Sequence, residues 1–369
     1  MLILHGRNQF LSSRPTDLGI TFYDSLDHYA PNVMQKKSRF SLKLFLRSII
    51  DKAMGRKPIP VQLPMPKLAQ LTEHAMPQLT SITRLSFSSK KRLNGPHDAE
   101  SSLFFHEVLR IVGNRLRSLH IQSPLAIYLP PQLEFLEELS VEAFEPYHTL
   151  EIHNAMIEKV PAFLLAHKST ICNVSFAIND HPNFDLSPIF QCLTLMFHLH
   201  SIHLSLPYEA MATNAVPLRD ILKTHRQHIK SLSFSFISVP PSVPVLLHED
   251  WRSVLGLPNL RNLTICLPGM FGDELGTYIR QFSSSLVSVE INHSFDTRDG
   301  LQDFCNVLSD FPHLQNLSLS IFDFHPGDLF VFATALPSLH SLFVDYSSVY
   351  LRLGEVSRIF YYLNLERNS

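Results

Sequence analysis

Residues 257–266 read LPNLRNLTIC, and Leu260, Leu263 and Ile265 place apolar side chains at positions 1, 4 and 6 of a short frame. The last two stand two apart, the spacing that puts both on one side of a β-strand, while the first anchors the turn into it. One such frame cannot bury its apolar side alone. The frame returns as LQNLSL at Leu314, Leu317 and Leu319, and as LHSLFV at Leu339, Leu342 and Val344. Looser copies are Ile82-Leu85-Phe87, Leu116-Leu119-Ile121, Leu136-Leu139-Val141, Ile171-Val174-Phe176, Leu199-Ile202-Leu204, Ile229-Leu232-Phe234 and Leu286-Val289-Ile291. From one copy to the next the step is 34, 20, 35, 28, 30, 31, 26, 28 and 25 residues, about 29 on average. An array of this kind buries each strand's apolar side against neighbouring repeats, with strands stacked in parallel.

The lead-ins are of two kinds. One passes from a helical stretch through a polar turn, as in FLLAHKSTI, LKTHRQHI and IRQFSSSL; the other has Pro two residues before the first anchor, as in LPNL at Pro258 and FPHL at Pro312. Proline disfavours helix in the residue before it and so closes the preceding element. His167 and His225 hold the same place before their strands, which predicts a helix-end or turn role for both.

Composition agrees with a large elongated core: 369 residues, 45% of them apolar, with a net charge of only −2. The charge is uneven, because residues 1–60 carry 10 Lys and Arg against 4 Asp and Glu, and the remainder carries 21 against 29. A mildly acidic repeat body lacks the electrostatic footprint of a nucleic-acid binder. No apolar run approaches the 18 or so residues of a membrane span. The start, MLILHGRNQF, lacks the long apolar region of a secretory signal, and Cys172, Cys192, Cys266 and Cys305 show no paired spacing. These features predict reduced thiols in an intracellular protein, cytoplasmic or nuclear. The sequons at Asn173, Asn262, Asn292 and Asn316 fall inside expected strands, where the frame itself sets small polar residues after Asn.

The expected organisation is a basic N-terminal segment over residues 1–60 and a solenoid of about ten repeats over 61–369. Within the first segment, Leu42, Phe45, Leu46 and Ile49 share one helical face and Arg39, Lys43 and Arg47 another, as in a helix that covers the open end of the stack. The Pro-rich stretch PIPVQLPMP follows as a stiff connection.

The frame and its period read as a leucine-rich-repeat solenoid, α/β in class, with a curved parallel sheet on the concave face and helices and turns on the convex face. The alternation of helix-His-polar lead-ins with FPxLxxLxL or LPxLxxLxI lead-ins, over roughly residues 68–350, resembles the repeat region of fungal F-box proteins. The resemblance implies a concave face that holds a protein target, and a ubiquitin-ligase adaptor as a further partner. Residues 1–60 contain no segment of the LPxE-x-x-x-x-I-x-x-x-L type that marks an F-box.

In each expected strand, the residues one before, one after and three after the second anchor face away from the core. Of these thirty positions fourteen are serine, and only Arg84, Glu138, Glu142, Glu290 and Asp345 are charged. Small hydroxyls leave the floor of such a face open to a partner. The residues expected to bind it are Ser201, His203, Ser205, Ser231, Ser233, Ser235, Asn262, Thr264, Glu290 and Ser318.

The histidines number 20, densest at His198, His200 and His203, but His200 and His203 are an odd number apart in an expected strand and point to opposite faces, which opposes joint metal ligation. Phosphate-binding, dinucleotide, nucleophile-elbow and zinc-protease motifs are missing, and glycines number only 12. The expected function is a non-enzymatic scaffold for protein–protein interaction, without cofactor or metal. The alternatives are a ligase substrate receptor and an enzyme built on the repeats.

Overall fold

The computed structural model describes residues 2–7, 17–23, 82–90, 97–122, 129–130, 133–143, 150–178, 185–207, 210, 213–236, 256–266, 276, 279–280, 282, 285–295, 298–324 and 326–349. The chain forms two compact units. The first comprises Met1–Asp180 and Leu186–His198, the second His181–Asp185 and Leu199–Ser369.

In the first unit, β1 (Leu2–Arg7) pairs antiparallel with β2 (Asp17–Tyr23). Then β2, β3 (Arg84–Lys90), β4 (Ser118–Gln122), β5 (Glu138–Ala143) and β6 (Asn173–Ile178) pair in parallel, each with the next in chain order. In the second unit, β7 (Ser201–Leu206), β8 (Ser231–Phe236), β9 (Asn262–Cys266), β10 (Ser288–Phe295), β11 (Asn316–Phe324) and β12 (Ser341–Val349) are likewise parallel and sequential. Strands β3 to β12 carry the ten frames in order. The first two strands lie where no frame was seen, and the expected helix over 39–56 and the Pro-rich stretch lie outside the described residues.

Register explains why the frame recurs. Second anchors pair with second anchors, as Leu232 with Leu263 and Leu263 with Val289, so identical positions of successive repeats form continuous apolar rows. No anchor from Ile82 to Leu319 is more than 2% exposed. At roughly 1.5 to 3 kcal/mol for each large side chain, this burial is the main stabilising term. Leu339, Leu342 and Val344 are only half-buried, because β12 pairs with β11 alone among the described residues. The rows are covered by helices, α1 (His97–Val112), α2 (Leu150–Ala166) and α3 (Ser187–Leu193) in the first unit, and α4 (Ala215–Thr224), α5 (Arg298–Leu308) and α6 (Pro326–Ala335) in the second. On α1, Phe105 meets Phe87 of β3 edge to face, with ring centroids 4.7 Å apart.

A second device locks repeat to repeat. At the entrances of β4, β5, β6 and β8 to β12, two consecutive backbone N–H groups donate to one carbonyl of the preceding repeat: Glu137 and Glu138 to Arg117 O at 2.8 and 2.9 Å, and Arg261 and Asn262 to Lys230 O at 2.8 and 3.0 Å. These N–H groups would otherwise be unpaired at the strand entrance, where burial makes an orphan donor costly. The two lead-ins also differ in their hydrogen bonds. In the Pro type the first anchor's N–H reaches back three residues, as Leu260 to Leu257 O and Leu314 to Phe311 O. In the His type it reaches back four, as Ile171 to His167 O and Ile229 to His225 O.

His167 and His225 thus stand at helix ends, both buried. At His167 the ring is fixed from both sides: Nδ1 donates to Phe163 O at 2.7 Å, and Nε2 accepts from the Leu133 N–H at 2.6 Å. That pairing requires the neutral ring, since a protonated Nε2 would turn its own hydrogen toward the Leu133 donor. Burial pushes the His167 pKa below its ordinary 6.5, against the opposing pull of the Phe163 carbonyl on Nδ1–H. The unfolded chain therefore takes up a proton at this ring more readily than the folded chain. Stability is undiminished above about pH 6.5 and falls as the pH drops below that value, until the folded ring also titrates. Thermal unfolding of the wild type and of a His167→Gln variant, followed across that range, checks this. The wild-type midpoint should fall more steeply on acidification, and parallel curves would show that another group controls the acid limb.

Candidate functional site

Because anchors alternate with outward residues, the face of each unit turned away from the helices consists of the polar positions of the frame. In the first unit these side chains satisfy one another across strands. His120 Nδ1 and Ser140 Oγ lie 2.8 Å apart, the Gln122 amide donates to Glu142 Oε2 at 2.9 Å, and His120 Nε2 lies 3.5 Å from Glu142 Oε1. The chain Ser140, His120, Glu142 has the order of a hydrolytic triad. It lies, however, across paired strands whose backbone N–H groups are committed to the ladder, so no backbone donors converge on an oxyanion beside Ser140.

The second unit differs. Its outward rows run Ser201, Ser231, Asn262, Ser288; then His203, Ser233, Thr264, Glu290, Ser318; then Ser205, Ser235, Cys266. Three strands of nearly uniform small side chains leave a hollow of about 410 Å³, bounded on the β10 side by Glu290. Eight of the ten residues expected from the sequence line it: Ser201, His203, Ser205, Ser231, Ser233, Ser235, Thr264 and Glu290. Asn262 is exposed at the start of β9, and Ser318 lies one strand beyond Glu290; neither lines the hollow. Ile202 and Cys266 do line it and were not anticipated. Cys266 occupies the three-after position of its strand, so the frame itself would have pointed to it.

Ser233 is the centre of this grid, flanked in register by His203 and Thr264. Both neighbours are larger, and Ser233 is left 8% exposed at the floor. Among the described residues its Oγ has no hydrogen-bond partner. An unsatisfied buried hydroxyl costs roughly 1 to 3 kcal/mol, so an orphan at the floor of an open polar hollow calls for an explanation. Glu290, half-buried, accepts one bond, from Thr264 Oγ1 to Oε2 at 3.2 Å, and has no ion pair among the described residues.

All four cysteines are free thiols. Burial, reinforced by the nearby Asp328 charge, pushes Cys305 up to about 12, which leaves it a thiol and a poor nucleophile at neutral pH. No group of three or more His, Cys, Asp or Glu among the described residues could hold a metal ion. No helix among them is long and apolar enough to cross a membrane.

Ten parallel strands in chain order, each bearing the L-x-x-L-x-L frame and roofed by helices or turns, are of the leucine-rich-repeat type. Among solved structures, the chain is similar to the leucine-rich repeat-containing protein LegL7 from Legionella pneumophila, at 14% identity and a TM-score of 0.42, over 81% of this chain and 85% of that one. No protein-family model matches the sequence, and no curated protein is similar to it.

Proposed function

We propose that the chain is a protein-interaction scaffold whose second unit holds a protein partner on the polar strand face, at the hollow bounded by β7 to β10. The observation that carries this is the contrast between the two faces. In the first unit the outward polar groups pair with one another, whereas in the second, among the described residues, the Glu290 carboxylate at the edge of the hollow accepts a single bond, from Thr264. A face of many small hydroxyls and one carboxylate favours a partner held by numerous weak hydrogen bonds. The resemblance of the lead-ins to F-box repeat regions adds a finer possibility, a ligase substrate receptor. That version requires co-purification of the ligase adaptor, with loss on deleting residues 1–60.

A photo-crosslinking residue at Ser205 should capture the partner from the source cell. The same residue at Val216 or Phe330, both on helices and 57% and 54% exposed, should not. Capture from the helix positions and none from Ser205 would assign recognition to the other side of the repeats.

A further inference from the structure

We infer that the strand-entrance edge of the second unit, at Lys230 and Arg261, holds an acidic segment of the partner polypeptide. This rests on the scaffold proposal and adds the charge of the chain that the scaffold takes. The comparison that carries it lies between equivalent frame positions of the two units. In the first unit, Arg117 and Glu137 directly follow the first anchors of β4 and β5, and guanidinium meets carboxylate at 2.8 Å. Residues at this position of adjacent repeats therefore stand close enough for their charged ends to meet. In the second unit the same position before β8 and β9 holds Lys230 and Arg261. Their backbones are joined, since the Arg261 N–H donates to Lys230 O at 2.8 Å, and adjoining strands lie roughly 4.8 Å apart. Two cations thus repel one another where the first unit sets opposite charges.

Among the described residues this edge lacks the counter-charge. Both side chains are exposed, and neither has an ion pair there. In the described lead-ins of the second unit the one carboxylate is Asp310, and it lies 3.6 Å from Arg280. A third cation is fixed on the same edge, because Arg226 Nε donates to Gly256 O of the next lead-in. The chain beyond residue 60 is acidic on balance, with 21 Lys and Arg against 29 Asp and Glu, so this gathering of cations does not follow from composition.

A carboxylate set between Lys230 and Arg261 accepts from both and replaces one repulsion by two attractions. Exposed ion pairs are individually weak, so the edge suits several acidic residues in succession better than one. A polypeptide is favoured over nucleic acid because the footprint is short. The outward rows beside it, from Ser201 to Ser288 and from His203 to Ser318, hold Glu290 and no Lys or Arg that could follow a phosphate backbone.

Isothermal titration of the full chain with acetyl-Gly-Glu-Glu-Glu-Gly-amide tests the inference, beside the same peptide with glutamines and a single-stranded RNA of equal charge. The acidic peptide should bind with Kd of about 1 mM or tighter at about 10 mM salt, and the glutamine peptide at least tenfold more weakly. Raising the salt to about 150 mM shortens the screening length from about 30 Å to about 8 Å and should weaken the acidic peptide severalfold. Lys230→Gln with Arg261→Gln should weaken it at least tenfold with an unchanged circular dichroism spectrum. Arg219→Gln with Lys223→Gln removes the same charge from α4 and should leave the affinity unchanged. Lys230→Glu should abolish binding while the thermal midpoint of the free protein holds or rises, because it restores the opposite charges seen at Arg117 and Glu137.

Equal binding of the two peptides, indifference to the edge substitutions, equal loss from the α4 substitutions, or tighter binding of the RNA than of the acidic peptide would overturn the inference. If the partner captured from Ser205 binds the edge variant with wild-type affinity, the scaffold proposal stands and only the acidic assignment fails. Binding of the acidic peptide at the edge without capture of any partner from Ser205 would keep the edge site and sink the scaffold.

Discussion

Leu263→Asp is expected to unfold the second unit around β9 and to lower the thermal midpoint of the protein by many degrees. Leu263 is 1% exposed and sits in register between Leu232 and Val289. A carboxylate there has no partner, so it must either remain ionised in an apolar row or be protonated in a space shaped for leucine. Either route costs more than about 4 kcal/mol, at the extreme of single substitutions. Whole domains are stable by only about 5 to 15 kcal/mol, and in a repeat array the loss spreads to neighbours, because each strand's row is completed by the next. Circular dichroism melts of wild type and variant decide the matter. An unchanged midpoint would place Leu263 at the surface and invalidate the register of every frame.

His167→Ala should be nearly as damaging, for a different reason. The ring bridges the end of α2 to the turn before Leu136, and its removal strands one buried backbone donor, the Leu133 N–H, while the Phe163 carbonyl keeps the backbone N–H of residue 167 at 3.2 Å. That orphan donor costs roughly 1 to 3 kcal/mol, and the lost packing against Phe163, whose ring centroid lies 4.1 Å away, adds to it. A fall in stability of about 3 kcal/mol or more is expected from denaturant unfolding. His167→Gln should recover part of it, since the amide oxygen can still accept from the Leu133 N–H. If alanine and glutamine destabilise equally and by less than about 1 kcal/mol, the bridging role is wrong.

What the sequence disclosed depended on how many times a feature was repeated. The L-x-x-L-x-L frame is weak in Ile171-Val174-Phe176 or Leu286-Val289-Ile291 taken alone, yet ten copies at a long period leave few arrangements other than parallel stacking, and the strands fall where the frames predict. The parity of the strand similarly assigned Ser201, His203, Ser205 and their neighbours to one face. Features that occur once were not legible. The pair β1 and β2 lies in a segment without the frame, so periodicity had nothing to work on. The burial of Ser233 arises from the sizes of His203 and Thr264, which lie 30 and 31 residues away in sequence and become neighbours only through register. The contrast between the two faces has the same origin. Gln122 can donate to Glu142 because the two pair across β4 and β5, whereas Glu290 meets, among the described residues, only a threonine donor. The bond of His167 to Leu133 joins residues 34 apart, and only its place at a helix end could be read in advance.

The central claim is that the hollow of the second unit is where the partner binds, and filling it is the most direct test. Ser205→Trp with Ser235→Trp adds bulk at two half-buried lining positions and leaves Ser233, at the floor, untouched. Both side chains point away from the anchors, so the double variant should keep the wild-type circular dichroism spectrum and a midpoint within a few degrees. Its affinity for the partner captured at Ser205, measured by surface plasmon resonance, should fall at least a hundredfold. Wild-type affinity in the folded double variant would contradict the account and move recognition off this face.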